Sequence, residues 1–253
     1  MPSGICRKKT QRVRGFTKQK QERPTGKPFA IMTKQTRIKL CGLSRPEDVQ
    51  TAIEAGADAL GFVFYDKSAR YVAPDVAAHL LRGVPPFVTT VGLFVNASPE
   101  EVARIVKVAP VSMLQFHGDE TIEMCCRTAE AVNRPFIRAI RIKPGMSSAD
   151  LLKCDQDYRA ASHLFAGLLL DTWVDGYGGG GKVFDWSLIP EELAHRVVLS
   201  GGLSEQNVAE ALNSIHPYAV DVSSGIERVK GVKDGAMMRN FIHAVRQAQA
   251  CDR

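Results

Sequence analysis

Two side chains that can move protons stand at matching places in the chain. Cys41 closes the short run Ile38-Lys39-Leu40-Cys41-Gly42, and Asp171 follows Leu168-Leu169-Leu170 and precedes Thr172. A thiolate can take a proton from carbon, and a carboxylic acid can give one to oxygen, so together they suit a reaction with two proton transfers at different atoms. Each has a plainer reading. A free cysteine is most often a small buried apolar residue, and an aspartate before a threonine is often a cap. Position weighs against both plain readings if these runs are strands whose C-terminal ends share one mouth.

Other candidates cluster in the same way. Ser200-Gly201-Gly202 and Ser223-Ser224-Gly225 place glycine and hydroxyls after two successive apolar runs. Glycine lets backbone N–H groups approach an anion, which suits a phosphate. Either cluster alone is equally well a tight turn; the pair points to phosphate. Arg70, in Ser68-Ala69-Arg70-Tyr71, offers a planar fork for a carboxylate, with a solvated loop arginine as the competing reading. Gln115 and His117 either line the site or satisfy loop backbone, and a lone loop histidine is more often structural.

The elements that must position these residues alternate. Eight β-type runs occur at Arg37–Leu40, Ala59–Phe64, Phe87–Val95, Ser112–Phe116, Phe136–Ile142, Leu164–Leu170, Val197–Leu199 and Ala219–Val222. Several are almost continuously apolar, as strands covered on both faces must be. Helical segments lie between them. Ser44, Ser98 and Ser204 read as N-caps with Glu47, Glu101 and Asn207 three residues on. The segment after the sixth run departs from this, being the glycine-rich Gly176–Gly181 followed by only a brief Asp185–Ile189 turn. Repeated βα units predict a parallel sheet, either open or closed. No GxGxxG follows the first run, and polar residues crowd the ends of the runs, so a closed (β/α)₈ barrel is expected over 34–250.

Charge divides the chain. Residues 1–34 hold ten Lys/Arg against one acid, a net +9, whereas the remainder of the 253 residues carries 23 basic and 26 acidic residues, a net −3. A mildly acidic barrel argues against nucleic acid as its partner. Residues 1–33 lack apolar periodicity and predict a disordered basic extension, with Met32 a plausible alternative start. The six cysteines lack the CxxC and His spacing of a metal site, so reduced thiols and a cytoplasmic location are expected. No apolar run approaches the ~20 residues of a membrane span.

Taken together, the motifs identify a resemblance to the phosphoribosylanthranilate isomerase family over residues 36–247. It is carried by Ile38–Leu43, Ala55–Tyr65, Ser68–Val72, Val91–Asn96, Leu114–Glu120, Leu170–Thr172, Gly178–Trp186, Leu199–Leu203 and Val220–Glu227. Departures are small: Leu43 stands where Ile or Val is common, and Lys230-Gly231-Val232-Lys233-Asp234 lacks a proline-glycine. The resemblance implies a TIM barrel with Cys41 as general base, Asp171 as general acid and Arg70 as anchor for the anthranilate carboxylate. It further implies a phosphorylated small-molecule substrate, no metal or organic cofactor, and a monomer or homodimer; no fused indole-glycerol-phosphate synthase segment precedes the barrel, so a bifunctional chain is not expected. Asp171 must then be protonated and Cys41 ionised against their ordinary tendencies. Another sugar-phosphate isomerase or epimerase shares the phosphate loops, but the histidine-pathway isomerase is expected to carry aspartate in place of Cys41. A nucleic-acid-binding protein using the basic arm is a further alternative.

Overall fold

The computed structural model describes residues 35–172 and 184–251, the last by its backbone alone. The extension over 1–33 and the Gly176–Gly181 segment lie outside the described residues. Within them, alternation along each strand decides the architecture. Ile38 and Leu40 face one way and belong to the large core between strands and helices, whereas Lys39 and Cys41 face the other. Leu168 and Leu170 against Leu169 and Asp171 repeat the pattern. A strand with two buried faces needs helices outside and a closed interior inside, and the chain builds both.

The strands are β1 (Arg37–Cys41), β2 (Ala59–Val63), β3 (Thr89–Phe94), β4 (Met113–Phe116), β5 (Phe136–Ile142), β6 (Phe165–Thr172), β7 (Val198–Leu199) and β8 (Ala219–Val222). They pair in parallel and in sequence, and β8 closes on β1 with Lys39 opposite Asp221. Helices α1 (Pro46–Ala55), α2 (Pro74–Leu81), α3 (Pro99–Val108), α4 (Ile122–Val132), α5 (Ser148–Ala161), α6 (Glu191–Ala194), α7 (Val208–Ile215) and α8 (Gly235–Cys251) follow the strands in turn. Fully buried Phe62, Phe94, Phe116, Phe136 and Phe241 fill the layer between sheet and helices. Among the described residues no helix is long and apolar enough to cross a membrane.

All eight β-type runs are strands, with local corrections. The third begins at Thr89, because Phe87 takes φ 70°, a left-handed turn that no strand accommodates, and its side chain is fully exposed. Ser44 is not a cap: Arg45 occupies the N-cap position of α1, and its guanidinium forks onto Asp48 at 2.8 and 2.6 Å. Ser98 does cap α3, accepting from the Glu101 N–H at 3.1 Å. At Ser204 only the reciprocal bond forms, its N–H donating to Asn207 Oδ1, so α7 starts four residues later. The brief turn expected at Asp185–Ile189 is a 3₁₀ turn, Trp186–Leu188, and it is followed by the short α6, which was not foreseen. Also unforeseen is an antiparallel hairpin after β8, β9 (Glu227–Val229) with β10 (Val232–Lys233), which returns two charged residues to the barrel mouth.

Candidate active site

Inward-facing residues at the C-terminal ends of the strands surround a cavity that is open on one side. Cys41 and Asp171 both line it, as do Arg70, Gln115, His117, Gly201, Gly202, Ser223 and Ser224. Nine of the ten residues singled out in the sequence are thus brought together. Gly225, the tenth, stands where the loops after β7 and β8 meet: a Cβ there would collide with the Leu203 carbonyl oxygen, so glycine lets the two loops touch. Apolar walls come from Val63, Leu93 and Val95 beside Cys41.

On the β1 side, Gly42 takes φ 81° and has no side chain where the stem of Arg70 crosses: a Cβ would sit 2.7 Å from Arg70 Cδ. This lets the strand end on Cys41 and turn away immediately beneath the arginine. Arg70 Nε and Nη2 donate to the two carboxylate oxygens of Glu227 at 2.7 and 2.9 Å. Lys233 Nζ donates to Glu227 Oε1 at 2.8 Å and to the Ser223 carbonyl at 2.8 Å, with its side chain fully buried. Burial alone would raise the Glu227 carboxyl, but Arg70 and Lys233 more than offset this and hold it below the usual carboxylate range. Burial pulls Lys233 below an ordinary lysine despite Glu227. Ser223 Oγ donates to the Cys41 carbonyl at 3.1 Å, tying the β8 loop to the end of β1. Burial pushes the Cys41 thiol above an ordinary cysteine, while the Lys39 ammonium opposes that rise.

On the β4 to β6 side the polar groups form a chain. Gln115 Nε2 lies 3.0 Å from His117 Nδ1, and His117 Nε2 lies 3.1 Å from Asp171 Oδ2. With Gln115 donating, Nδ1 accepts and the ring proton sits on Nε2, directed at the carboxylate. The Thr172 N–H donates to Asp171 Oδ1 at 2.9 Å. Gln115 Oε1 is buried in the cavity wall without a hydrogen-bond partner among the described residues, so it is available to a bound polar group. Beneath this wall a buried clamp sets the loop after β4. Arg138 donates to Glu120 Oε2 at 2.6 Å and to the carbonyls of Phe116 and Gly118 at 3.1 and 2.9 Å. Glu120 in turn accepts from the N–H groups of Asn96 and Gly118 at 2.7 and 2.9 Å, so one ion pair fixes both neighbours of His117.

The sequence reading missed four charged residues of this site. Lys39 and Asp221 interrupt apolar runs on the inward face of their strands, and a charge in a strand buried on both faces was the available signal. Glu227 and Lys233 gave none, because only the unforeseen hairpin carries them inward.

The family model for N-(5′-phosphoribosyl)anthranilate isomerase matches residues 38–244. The N-(5′-phosphoribosyl)anthranilate isomerase of Herminiimonas arsenicoxydans is 65% identical over 219 residues, covering 87% of this chain and 96% of that protein. The crystal structure of phosphoribosyl anthranilate isomerase from Thermotoga maritima superposes with a TM-score of 0.74 at 40% identity, over 84% of this chain and all of that one. A crystal structure of the isomerase in complex with reduced 1-(o-carboxyphenylamino)-1-deoxyribulose 5-phosphate gives 0.71 at 38% identity, again over 84% and 100%.

Proposed function

The chain belongs to the N-(5′-phosphoribosyl)anthranilate isomerase family, and from that premise we propose that Cys41 and Asp171 are the base and the acid of its reaction. The enzyme carries out the Amadori rearrangement of N-(5′-phosphoribosyl)anthranilate to 1-(2-carboxyphenylamino)-1-deoxyribulose 5-phosphate, a step of tryptophan biosynthesis. The observation that carries the assignment of roles is a single cavity lined by a thiol, a histidine-bonded carboxyl, an arginine and two glycine and serine loops.

Asp171, in its protonated form, gives its proton to the furanose ring oxygen as the C1′–O bond breaks, leaving an iminium ion at C1′. His117 Nε2–H, 3.1 Å from Oδ2, orients the carboxyl and stabilises the carboxylate left once that proton has gone. The iminium draws electrons from C2′ and makes its C–H acidic. Cys41 as thiolate takes that proton, and the C–H electron pair forms the C1′–C2′ double bond of an enolamine. Protonation at C1′ and loss of the 2′-hydroxyl proton then give the ketone, so the net change is an isomerisation.

The remaining lining residues hold the substrate. The backbone of Gly201 and Gly202 and the hydroxyl-bearing Ser223 and Ser224 receive the phosphate. Glu227 fixes the plane of Arg70 and leaves Nη1, which has no hydrogen-bond partner among the described residues, for the anthranilate carboxylate. Gln115 Oε1 accepts from a substrate hydroxyl or amine. Turnover of purified Cys41→Ser and Asp171→Asn, followed by loss of substrate fluorescence, tests the roles. Each is expected to lose ~10²-fold or more with an unchanged circular dichroism spectrum. Near-normal turnover in either variant removes that residue from the scheme.

A further inference from the structure

Below Cys41 the barrel interior holds two charges to which the reaction scheme gives no task. Lys39 precedes Cys41 by two residues and so shares its inward face. Its Nζ donates to Asp221 Oδ1 at 2.7 Å, with both side chains only 5% exposed. Asp221 is its one oxygen acceptor among the described residues, and Asp221 Oδ2 accepts from Ser200 Oγ at 3.1 Å. Burying two ions carries a desolvation penalty of several kcal/mol each even when paired. The same interior is filled elsewhere by Ile137, Ala139 and Leu169 at no such penalty. A third residue shows where the charge is directed. Gly61 is the register partner of Cys41, and a Cβ on it would lie 2.8 Å from Cys41 Sγ and 3.1 Å from Lys39 Nζ. Sulfur and ammonium therefore converge on the one point that β2 leaves vacant, within about 6 Å of each other.

We propose that Lys39 is a positioning residue whose ammonium, shared between Asp221 and Cys41, stabilises the Cys41 thiolate, and that Asp221 limits how much of that charge the sulfur feels. The inference rests on Cys41 being the base. An opposite charge at ~4–6 Å favours an ionised group by ~1–3 pH units, and a like charge disfavours it. The other charges facing Cys41 are already engaged. Lys233, from β10, has Glu227 and Ser223; Arg70, from the loop after β2, has Glu227; Asp171, across the cavity, has His117. Burial is the largest influence on the thiol and raises it, Lys39 and Lys233 lower it, and Asp221 raises it.

Opposite signs make the test specific. The pH titration of thiolate ultraviolet absorbance is recorded on the full-length enzyme, each protein compared with the same protein carrying Cys41→Ser so that the other cysteines cancel. Lys39→Met is expected to move the midpoint up by ~1 pH unit or more, about tenfold less thiolate at a given pH below it. Asp221→Asn is expected to move it down, because the ammonium then faces the sulfur alone, and Lys39→Arg stays nearer to the parent than Lys39→Met. The alkaline-rising limb of kcat/KM follows the titration in Lys39→Met. General packing damage would shift both neutralised variants in one direction. An unmoved midpoint in Lys39→Met, or an upward shift in Asp221→Asn, overturns the proposal; should Lys39→Met not fold, Asp221→Asn decides alone. The titration needs no substrate. Full turnover in Cys41→Ser would therefore defeat the base assignment and leave the Lys39 result standing.

Discussion

The two walls of the cavity handle charge in opposite ways. Around β1, β8 and the β9–β10 hairpin, five formal ions are packed against Cys41: Lys39, Asp221, Lys233, Glu227 and Arg70. Around β4 and β6 the polar groups Gln115, His117 and Asp171 are joined end to end by hydrogen bonds, with a single carboxyl among them. The difference follows from what each wall must do. A buried thiol resists ionisation, so a base made from one needs full positive charge beside it. A carboxyl that must deliver its own proton needs to be oriented and to have a donor facing the carboxylate it becomes, which the His117 N–H provides.

If the second wall depends on hydrogen bonds, it depends on the loop that orients them, and removing the clamp below should break it. Arg138→Met leaves Glu120 buried without its cation, and a loss of ~3–5 kcal/mol of stability by denaturant unfolding is expected. kcat should fall more than KM rises as His117 loses its place. A change below ~1 kcal/mol would show that the loop is held by other means. On the charged wall the largest expected binding effect is smaller. Arg70→Ala should raise KM about tenfold to a hundredfold, the range for losing a charged hydrogen bond, with kcat changed less. An unchanged KM would leave Arg70 as a structural partner of Glu227 alone.

Much of this was legible in the chain. Eight β-type runs, their order, and the placement of Cys41, Asp171 and both glycine loops at one mouth follow from patterns that are local in sequence. What was not legible is long-range pairing. Lys39 and Asp221 are 182 residues apart and meet only because β8 closes on β1. Arg70 meets Glu227 across 157 residues through a hairpin of two short strands, too brief to show any periodicity. Ser44 looked like a cap by composition, but Arg45 reaches both Asp48 and the Lys233 carbonyl, a tertiary contact that overrides the local preference. Gly225 belongs to the loop expected to bind phosphate, and the structure adds a packing demand that the motif does not reveal, since a Cβ there would meet the Leu203 carbonyl of the neighbouring loop.

The division of labour between the walls is tested most directly with substrate deuterated at C2′. If Cys41 removes that proton and Asp171 opens the ring, Cys41→Ser makes C–H cleavage more limiting and its isotope effect on kcat/KM rises above that of the parent enzyme. Asp171→Asn makes ring opening more limiting, and its isotope effect falls toward unity. Equal isotope effects in the two variants, or the reverse order, would contradict the assignment.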